Sequence, residues 1–227
     1  QANTAVQLPL SPRLILAATD KVAVLRRTDV EVTASASGNY AARFTLGPVT
    51  ALVNNAGITG PAGKIEEIGN AALDEVLAIN VRGCFIALRH AITRMATDLG
   101  GPGGAVVNIG SRASALGGPN EWVHYAASKG GVGMLMKTMA QELAPKRIRI
   151  NSVAPGAIKT PINRAAWDTP EAENRLLNLI PYKRVGVVDD IARATAWLAS
   201  DHADYVNGAT LYVDGGMTLY PSFADGG

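Results

Sequence analysis

The feature that most constrains the fold is a regular alternation of short apolar runs with helical patterns, from about Pro48 to Val213. The runs have the length and β-branched content of strands, and the helical patterns place apolar side chains on one face. The predicted strands are residues 49–53, 105–109, 147–153 and 209–213. The predicted helices are residues 71–79, 85–95, 124–143 and 188–198. This order predicts an α/β fold with a doubly wound parallel sheet, because crossover helices join parallel strands.

The composition is that of one globular domain, which we assign to residues 1–227. The chain is 48% hydrophobic and 18% charged, which suffices for a substantial core. A net charge of +2 without blocks of like charge does not favour nucleic acid or an anionic membrane as a partner. No apolar stretch reaches the roughly 18 residues of a membrane span, and a secretory signal pattern is missing. One cysteine, Cys84, leaves no internal disulfide, so we expect a cytoplasmic protein with Cys84 buried.

Tyr125 and Lys129 stand four residues apart on a predicted helix and therefore share a face. An ammonium beside a phenol favours the phenolate and lowers the phenol pKa. Such a tyrosine exchanges protons near neutral pH, which an ordinary tyrosine with a pKa of about 10 does not. The pair alone leaves a second interpretation open, a half-buried tyrosine beside a solvated lysine.

Two polar residues add weight to that pair. Ser111 follows the apolar run 106–110, where a hydroxyl can hydrogen-bond a substrate oxygen and stabilise developing charge. The alternative for Ser111 is a serine that caps a turn. Asn80 lies between two helical patterns, where it can bond backbone and hold a water behind Lys129. The alternative for Asn80 is a structural, helix-breaking asparagine.

Two glycine-containing turns follow predicted strands. Residues 54–57 read Asn-Asn-Ala-Gly, and residues 155–158 read Pro-Gly-Ala-Ile with the hydroxyl of Thr160 close behind. Parallel sheets bind ligands at the carboxyl ends of their strands, and glycine there lets a ligand approach the backbone. Packing also makes strand ends rich in glycine, so each turn alone leaves both interpretations open.

Together these features have the order and spacing of the short-chain dehydrogenase/reductase family, which the chain resembles from about Asp29 to its C-terminus. The resemblance rests on residues 54–57, Asn80, Ser111, Tyr125, Lys129 and Pro155-Gly156. It implies a Rossmann-type sheet and an oxidoreductase that moves a hydride between NAD or NADP and an alcohol or carbonyl. The choice between NAD and NADP is set at the end of the second strand, which the sequence does not identify.

The resemblance also implies a role for each matching residue. Tyr125 is the general acid or base, Lys129 binds the nicotinamide ribose and lowers the pKa of Tyr125, and Ser111 orients the substrate oxygen. Asn80 supports a proton relay. The adenosine side of the cofactor is lined by Asn54, Ala56 and Gly57, with Asp29 and Val30 near the adenine. The nicotinamide end is held by Pro155, Gly156, Ile158 and Thr160.

The C-terminal half resembles bacterial glucose 1-dehydrogenases within this family. The similar segments are residues 124–131, 156–163 and 215–223. A sugar such as glucose is therefore the favoured small-molecule substrate. The rival is a 3-oxoacyl thioester or another ketone, since the small residues of segment 114–118 leave room for something larger. Residues 157–183 are interpreted as a lid over the substrate, with a plain surface loop as the alternative.

Family members are usually tetramers, and the resemblance implies a homotetramer here. The helices that contain Phe85 and Met134 would lie at one interface. Three glycines on the second of these helices would permit close helix approach, namely Gly130, Gly131 and Gly133.

The N-terminal part departs from the family pattern, which begins with a strand, a glycine-rich phosphate loop and a helix. The first glycine here is Gly38. Residues 13–17 and 22–26 read as strands whose short connection fits an antiparallel hairpin rather than a parallel crossover. A missing glycine loop removes backbone donors from the pyrophosphate, and a missing central strand leaves a sheet edge unpaired. Three explanations are open: a segment outside this sequence, a truncated or mis-assembled gene product, or a substitute built by residues 1–28.

Two functional hypotheses from different classes follow. One is an active NAD(P)-dependent dehydrogenase, which the intact set Ser111, Tyr125 and Lys129 favours. The other is a catalytically inactive scaffold that oligomerises or binds a partner, which the missing glycine loop favours.

Overall fold

A computed structural model describes residues 48–118 and 121–219, together with the backbone of residues 14–18 and 21–25. Asp29 and Val30 lie outside the described residues. The strands are β1 (Leu14–Ala18), β2 (Lys21–Leu25), β3 (Ala51–Asn54), β4 (Gly104–Ile109), β5 (Ile148–Pro155) and β6 (Thr210–Val213). The helices are α1 (Asn70–Leu77), α2 (Gly83–Met95), α3 (Ala113–Leu116), α4 (Val123–Leu143), α5 (Pro170–Asn178) and α6 (Val188–Ala199).

The strands form one sheet in the order β2-β1-β3-β4-β5-β6. The neighbours from β1 to β6 pair in parallel, and β2 runs antiparallel to β1. Helices connect the parallel pairs β3–β4, β4–β5 and β5–β6. The doubly wound α/β prediction is therefore confirmed, and the predicted strands after Pro48 fall close to the observed bounds.

Alternate residues of the central strands face opposite layers of helices. Leu52 and Val106 pack with α2 and α4 in the larger core. Val53 and Val107 point to the other face and pack against α6, including Leu198. Both faces of a parallel sheet are covered in this way, which is why β3 and β4 read as continuous apolar runs.

The N-terminal strands form the hairpin that their short connection predicted. Leu14 to Ala18 pair antiparallel with Lys21 to Leu25, and only residues 19 and 20 separate the two strands. The same β1 pairs in parallel with β3, from Leu14 opposite Ala51 to Ala17 opposite Asn54. The expected unpaired edge at β3 is therefore wrong, because β1 supplies the hydrogen-bonding partner.

Asn80 lies within one continuous helical segment rather than between two separate helices, which corrects the sequence interpretation. Residues Ala78–Arg82 form a π-helical turn that joins α1 to α2 without a break. A π turn widens the helix locally and often accompanies a functional site. The alternative of a helix-breaking asparagine is wrong, because Ala78 and Gly83 keep right-handed helical backbone angles on either side.

The segment interpreted as a lid or loop contains two helical pieces. Pro161–Ala166 forms a 3-10 turn, and α5 follows. The hydroxyl of Thr169 accepts a hydrogen bond from the N–H of Ala172, and Pro170 occupies the first helical turn. A threonine cap followed by proline is a helix-start signal that the sequence analysis missed. The far end of the segment packs in a small core centred on Ile180, Val185 and Met217.

Candidate active site

The carboxyl ends of β3, β4 and β5 lie at one edge of the sheet, and most of the predicted site residues follow them. Asn54 ends β3, Ser111 comes two residues after β4, and Gly156 comes directly after β5. The site is completed by α4, which packs against β5 and the π-helical turn. Because the strands are parallel, residues far apart in sequence meet at this edge.

Lys129 is buried, and its ammonium donates a hydrogen bond of 2.8 Å to the carbonyl oxygen of Ile109. This bond ties α4 to the carboxyl end of β4. Burial lowers the pKa of Lys129, because the charged form loses water. The ammonium lies 5.8 Å from the ring centroid of Tyr125, so the spacing of four residues does bring the two side chains together.

Tyr125 is partly buried, and burial raises the pKa of its phenol. Hydrogen bonding to Ser111 and the charge of Arg112 act in the opposite direction and favour the phenolate. The expectation of a depressed Tyr125 pKa is wrong, because desolvation is the largest effect and raises it. Burial thus favours the protonated phenol, the form that donates a proton.

Ser111 serves the turn after β4 and the site at once. Its hydroxyl oxygen accepts a hydrogen bond of 3.1 Å from the N–H of Ala113, which is the capping role considered for it. The same hydroxyl interacts with the phenol of Tyr125, which places it near the predicted proton donor, and its orientation of a substrate oxygen stays a prediction. The two interpretations are compatible, since a hydroxyl has two acceptor positions and one donor.

Asn80 uses its side chain to hold the turn that follows β3. The amide bonds both backbone groups of Ile58, at 2.8 Å to the N–H and 2.9 Å to the carbonyl oxygen. It also donates to the hydroxyl of Ser128, which in turn donates to the carbonyl oxygen of Tyr125 at 2.7 Å. Asn80 thus connects the turn after β3 with the helix that carries Tyr125. Ser128 was missed, although it stands within the same tyrosine–lysine motif.

Gly57 marks a close approach between backbone and polar side chains. A Cβ on this residue would lie 3.2 Å from the ammonium of Lys129 and 3.2 Å from Oδ1 of Asn80. The glycine therefore keeps a small space open in front of the buried ammonium. Lys129 has three N–H donors and spends one on Ile109, which leaves donors for ribose hydroxyls.

The other residues of the first turn occupy different environments. Asn54 is buried, and its side-chain amide donates to Oδ1 of Asn108 at 2.8 Å, which joins β3 to β4. This bond holds the side chain of Asn54 against the sheet, next to Asn108 of β4. Ala56 is half-buried between Asn54 and Gly57.

The second turn packs tightly against the end of β6. The N–H of Gly156 donates to Val213, and a Cβ on Gly156 would lie 2.5 Å from Cβ of Asp214. Only glycine fits there. The carbonyl oxygen of Pro155 accepts from the N–H of Arg112, which fastens the turn to the segment after β4.

Ile158 is buried and pairs with Gly186 as an isolated bridge. Thr160 directs its hydroxyl to Oδ1 of Asn163, at 2.8 Å, and so begins the 3-10 turn of the lid segment. The contacts of these two residues therefore hold the backbone of the second turn and of the lid segment. Asp29 and Val30 lie outside the described residues.

Arg112 is the charged residue that the sequence analysis missed. Its guanidinium lies close enough to Asp214 and Tyr125 for both to act on its charge, although burial is the larger effect and lowers its pKa. The sequence feature that could have identified Arg112 as a site residue is its position directly after Ser111.

The residues around Lys129 suit the ribose and nicotinamide end of a dinucleotide. The open space at Gly57 and the unused ammonium donors are the observations that support this fit. Across 48–118 and 121–219, no cluster of three or more metal-ligating side chains is present. Within the same ranges, no helix is long and apolar enough to cross a membrane.

Comparison with known sequences identifies the class of protein. The family described as Enoyl-(Acyl carrier protein) reductase matches residues 14–218. The 3beta-hydroxysteroid dehydrogenase 1 of Eggerthella lenta is 46% identical over 190 residues, which cover 82% of this chain and 70% of that protein. Glucose 1-dehydrogenase 2 of Bacillus subtilis is 40% identical over 178 residues, covering 78% of this chain and 67% of the relative.

Solved structures agree with that class. A putative 2-deoxy-d-gluconate 3-dehydrogenase from Agrobacterium tumefaciens, with bound NADP, is 37% identical with a TM-score of 0.70. The match covers 75% of this chain and 68% of that one. Levodione reductase is 35% identical with a TM-score of 0.70, covering 76% and 68%. The chain belongs to the short-chain dehydrogenase/reductase family, whose members are NAD(P)-dependent oxidoreductases.

Proposed function

We propose that this chain transfers a hydride between NAD or NADP and a secondary alcohol or carbonyl on a polyhydroxylated, sugar-like substrate. The observation that carries the proposal is the grouping of Ser111, Tyr125 and Lys129 at the carboxyl end of β4. Support for a sugar comes from the segments similar to glucose 1-dehydrogenases and from the relatives of that name at 40% identity.

The dinucleotide supplies or accepts the hydride when it is bound. Tyr125 moves the accompanying proton at its phenolic oxygen. In carbonyl reduction the protonated phenol donates to the substrate oxygen, and in alcohol oxidation the phenolate accepts the hydroxyl proton. Ser111 holds the same substrate oxygen by a hydrogen bond and stabilises charge that develops on it.

Lys129 binds and positions in this proposal. Its fixed bond to Ile109 aims the remaining N–H donors toward the space at Gly57, where ribose hydroxyls would lie. If the bound substrate and dinucleotide bring the ammonium of Lys129 closer to the phenol of Tyr125, its positive charge favours the phenolate. Asn80 and Ser128 act as positioning residues, because they fix the turn after β3 and the backbone of Tyr125.

Residues 157–183 are proposed to cover the substrate. They follow the second turn directly, and their helix α5 has its own N-terminal cap, Thr169. We also infer that the whole chain acts as one domain, since the sheet runs without interruption from β2 to β6. A cytoplasmic location is proposed because Cys84 is the single cysteine of the sequence and has no partner for an internal disulfide.

A homotetramer is proposed from the exposed apolar residues of α2 and α4. Phe85 is 53% exposed and Met134 is 62% exposed, and a Cβ on Gly130 or Gly133 would contact nothing. Light scattering should give the mass of four chains, and Met134→Glu should lower it. Leu99→Glu, at an exposed leucine outside α2 and α4, should leave the mass unchanged. A monomeric wild type would overturn the assignment.

The direct test is oxidation of a polyol panel by the purified chain with NAD and with NADP, compared with Tyr125→Phe. We expect turnover by the wild type and none by the variant. The competing function is an inactive scaffold, favoured by the lack of glycine before Gly38. Wild-type protein that is folded and oligomeric but transfers no hydride to or from any alcohol or ketone would support the scaffold.

A further inference from the structure

Arg112 is held at the centre of the site by its backbone. It directly follows Ser111, and its N–H donates to the carbonyl oxygen of Pro155 at 3.1 Å. Its backbone angles, φ −56° and ψ −26°, start the short helix α3. The backbone of Arg112 is thus fixed where the segment after β4 meets the turn after β5.

Arg112 is half-buried, and its guanidinium is near enough to Tyr125 and Asp214 for their charges to act on it. Asp214 does not form an ion pair with it. The carboxylate of Asp214 instead accepts from the N–H of Gly216 at 2.9 Å, from the N–H of Thr218 at 2.7 Å and from the hydroxyl of Thr218.

The five ion pairs found within residues 48–118 and 121–219 all involve other cations, and no side-chain acceptor there takes a hydrogen bond from Arg112. Taking a charge partly out of water costs free energy unless a counter-charge or hydrogen bonds replace the water. A half-buried guanidinium in this situation, directly after Ser111 in the chain, has its planar set of donors available for an anion. Carboxylates match that set with two parallel hydrogen bonds.

We propose that Arg112 makes this site select polyhydroxy acids, whose carboxylate it binds while a neighbouring carbinol carbon reacts, over the corresponding neutral polyols. The inference rests on the proposed function for the reacting group, and it adds the charge of the substrate. The reaction is the one already described, so Arg112 contributes binding and orientation and takes no proton.

The test compares D-gluconate with D-glucitol, which carries a CH2OH group in place of the carboxylate. The wild type should oxidise gluconate with the higher kcat/KM. Arg112→Met should lower the ratio of kcat/KM for gluconate to kcat/KM for glucitol by about 10- to 100-fold, as expected for loss of a charged hydrogen bond to the carboxylate. The effect of the Arg112 charge on the phenol of Tyr125 is common to both substrates and leaves this ratio unaffected. The ratio for Arg112→Lys should lie between those of the wild type and Arg112→Met. Lysine keeps the positive charge but loses the two parallel hydrogen bonds of the guanidinium. An unchanged gluconate-to-glucitol ratio in Arg112→Met would overturn the proposal.

Arg94→Met is the matched control, because this exposed arginine lies in the last turn of α2, at the opposite edge of the sheet. It should leave the ratio unchanged. Circular dichroism would show whether Arg112→Met is folded. If it is not, the gluconate-to-glucitol ratio of kcat/KM is measured for Arg112→Lys and Arg112→Gln instead, and an unchanged ratio in Arg112→Gln overturns the proposal.

Binding without turnover separates this proposal from the proposed function. Calorimetry measures D-gluconate binding to Tyr125→Phe and to the double variant with Arg112→Met, each with and without NADP. Gluconate binding that disappears with Arg112→Met supports the anion site even if the wild type oxidises neither compound. The anion site is overturned if Tyr125→Phe does not bind gluconate with or without NADP. It is also overturned if Tyr125→Phe and the double variant bind gluconate equally, even if polyols are oxidised.

Discussion

The two neighbours of β3 are built in different ways. On one side β4 follows through a helical crossover, and its carboxyl end carries Ser111 and receives the bond from Lys129. On the other side β1 pairs in parallel with β3 but turns back into β2 after two residues. Two residues cannot contain a helix. The hairpin therefore completes the hydrogen bonding of the sheet without offering a helix N-terminus to a pyrophosphate.

The difference separates two tasks that a dinucleotide site normally combines. The residues proposed for proton transfer lie after β4 and on α4, where Lys129 bonds to Ile109 and Ser128 bonds to Asn80 and Tyr125. The pyrophosphate contacts that a glycine loop provides are not available between β1 and β2. Among the described residues, those expected to bind the dinucleotide are on the ribose and nicotinamide side, at Gly57, Lys129 and the turn after β5.

The largest effect is expected for the phenol itself. Tyr125→Phe removes the proton donor and should lower kcat by about 10²- to 10⁴-fold, the usual contribution of general acid–base catalysis. Dinucleotide binding and the melting temperature should stay near those of the wild type. Tyr205→Phe, at a fully exposed tyrosine, should keep full activity. A Tyr125→Phe enzyme with most of its kcat would contradict the assignment of proton transfer.

Asn80→Ala should destabilise the fold as well as the site. It leaves the N–H and carbonyl of Ile58 unpaired, and each unpaired buried group costs about 1–3 kcal/mol. We expect a loss of about 3 kcal/mol in the free energy of unfolding by urea. Asn70→Ala, at an exposed position on α1, is the control and should change it little. Equal stability of the two variants would show that the bonds to Ile58 contribute nothing.

Gly57→Ala tests whether the ribose of the dinucleotide lies in the space between Gly57 and Lys129. The added methyl would press on Lys129 and Asn80 at 3.2 Å and fill the space in front of the ammonium. Dinucleotide affinity measured by nicotinamide fluorescence should fall about tenfold, equivalent to about 1.4 kcal/mol. Gly69→Ala, where an added Cβ contacts nothing, should bind as the wild type does. An unchanged affinity for Gly57→Ala would move the dinucleotide away from Lys129.

The smallest expected effect is on the ionisation of Tyr125. Burial disfavours the phenolate, so the phenol of the dinucleotide-free protein should ionise above the ordinary pKa of about 10. The charge of Arg112 favours the phenolate, so Arg112→Met should raise the pKa further. Ultraviolet difference titration of each protein against its Tyr125→Phe counterpart measures this. A wild-type phenol that ionises below the ordinary value contradicts the dominance of burial.

Much of the sheet and of the active site could be predicted because the signals are local. Strands buried on both faces read as apolar runs, and the four-residue spacing of Tyr125 and Lys129 fixes a shared helix face. The π turn at Asn80 could not be predicted, since no residue there breaks the helical pattern. The depressed pKa expected for Tyr125 failed because burial depends on the packed structure rather than on spacing. Arg112 was missed for the same reason, as its neighbours Asp214 and Tyr125 come from other parts of the chain.

The most direct test of the account is a titration of the purified chain, with its intact mass verified, with NADH and with NADPH, followed by nicotinamide fluorescence. We expect saturable binding of at least one of them at micromolar concentration, and weakened binding by Gly57→Ala. No binding of either nucleotide up to millimolar concentration would contradict it, because the ribose and nicotinamide side would then be insufficient to hold the dinucleotide on which the proposed reaction depends.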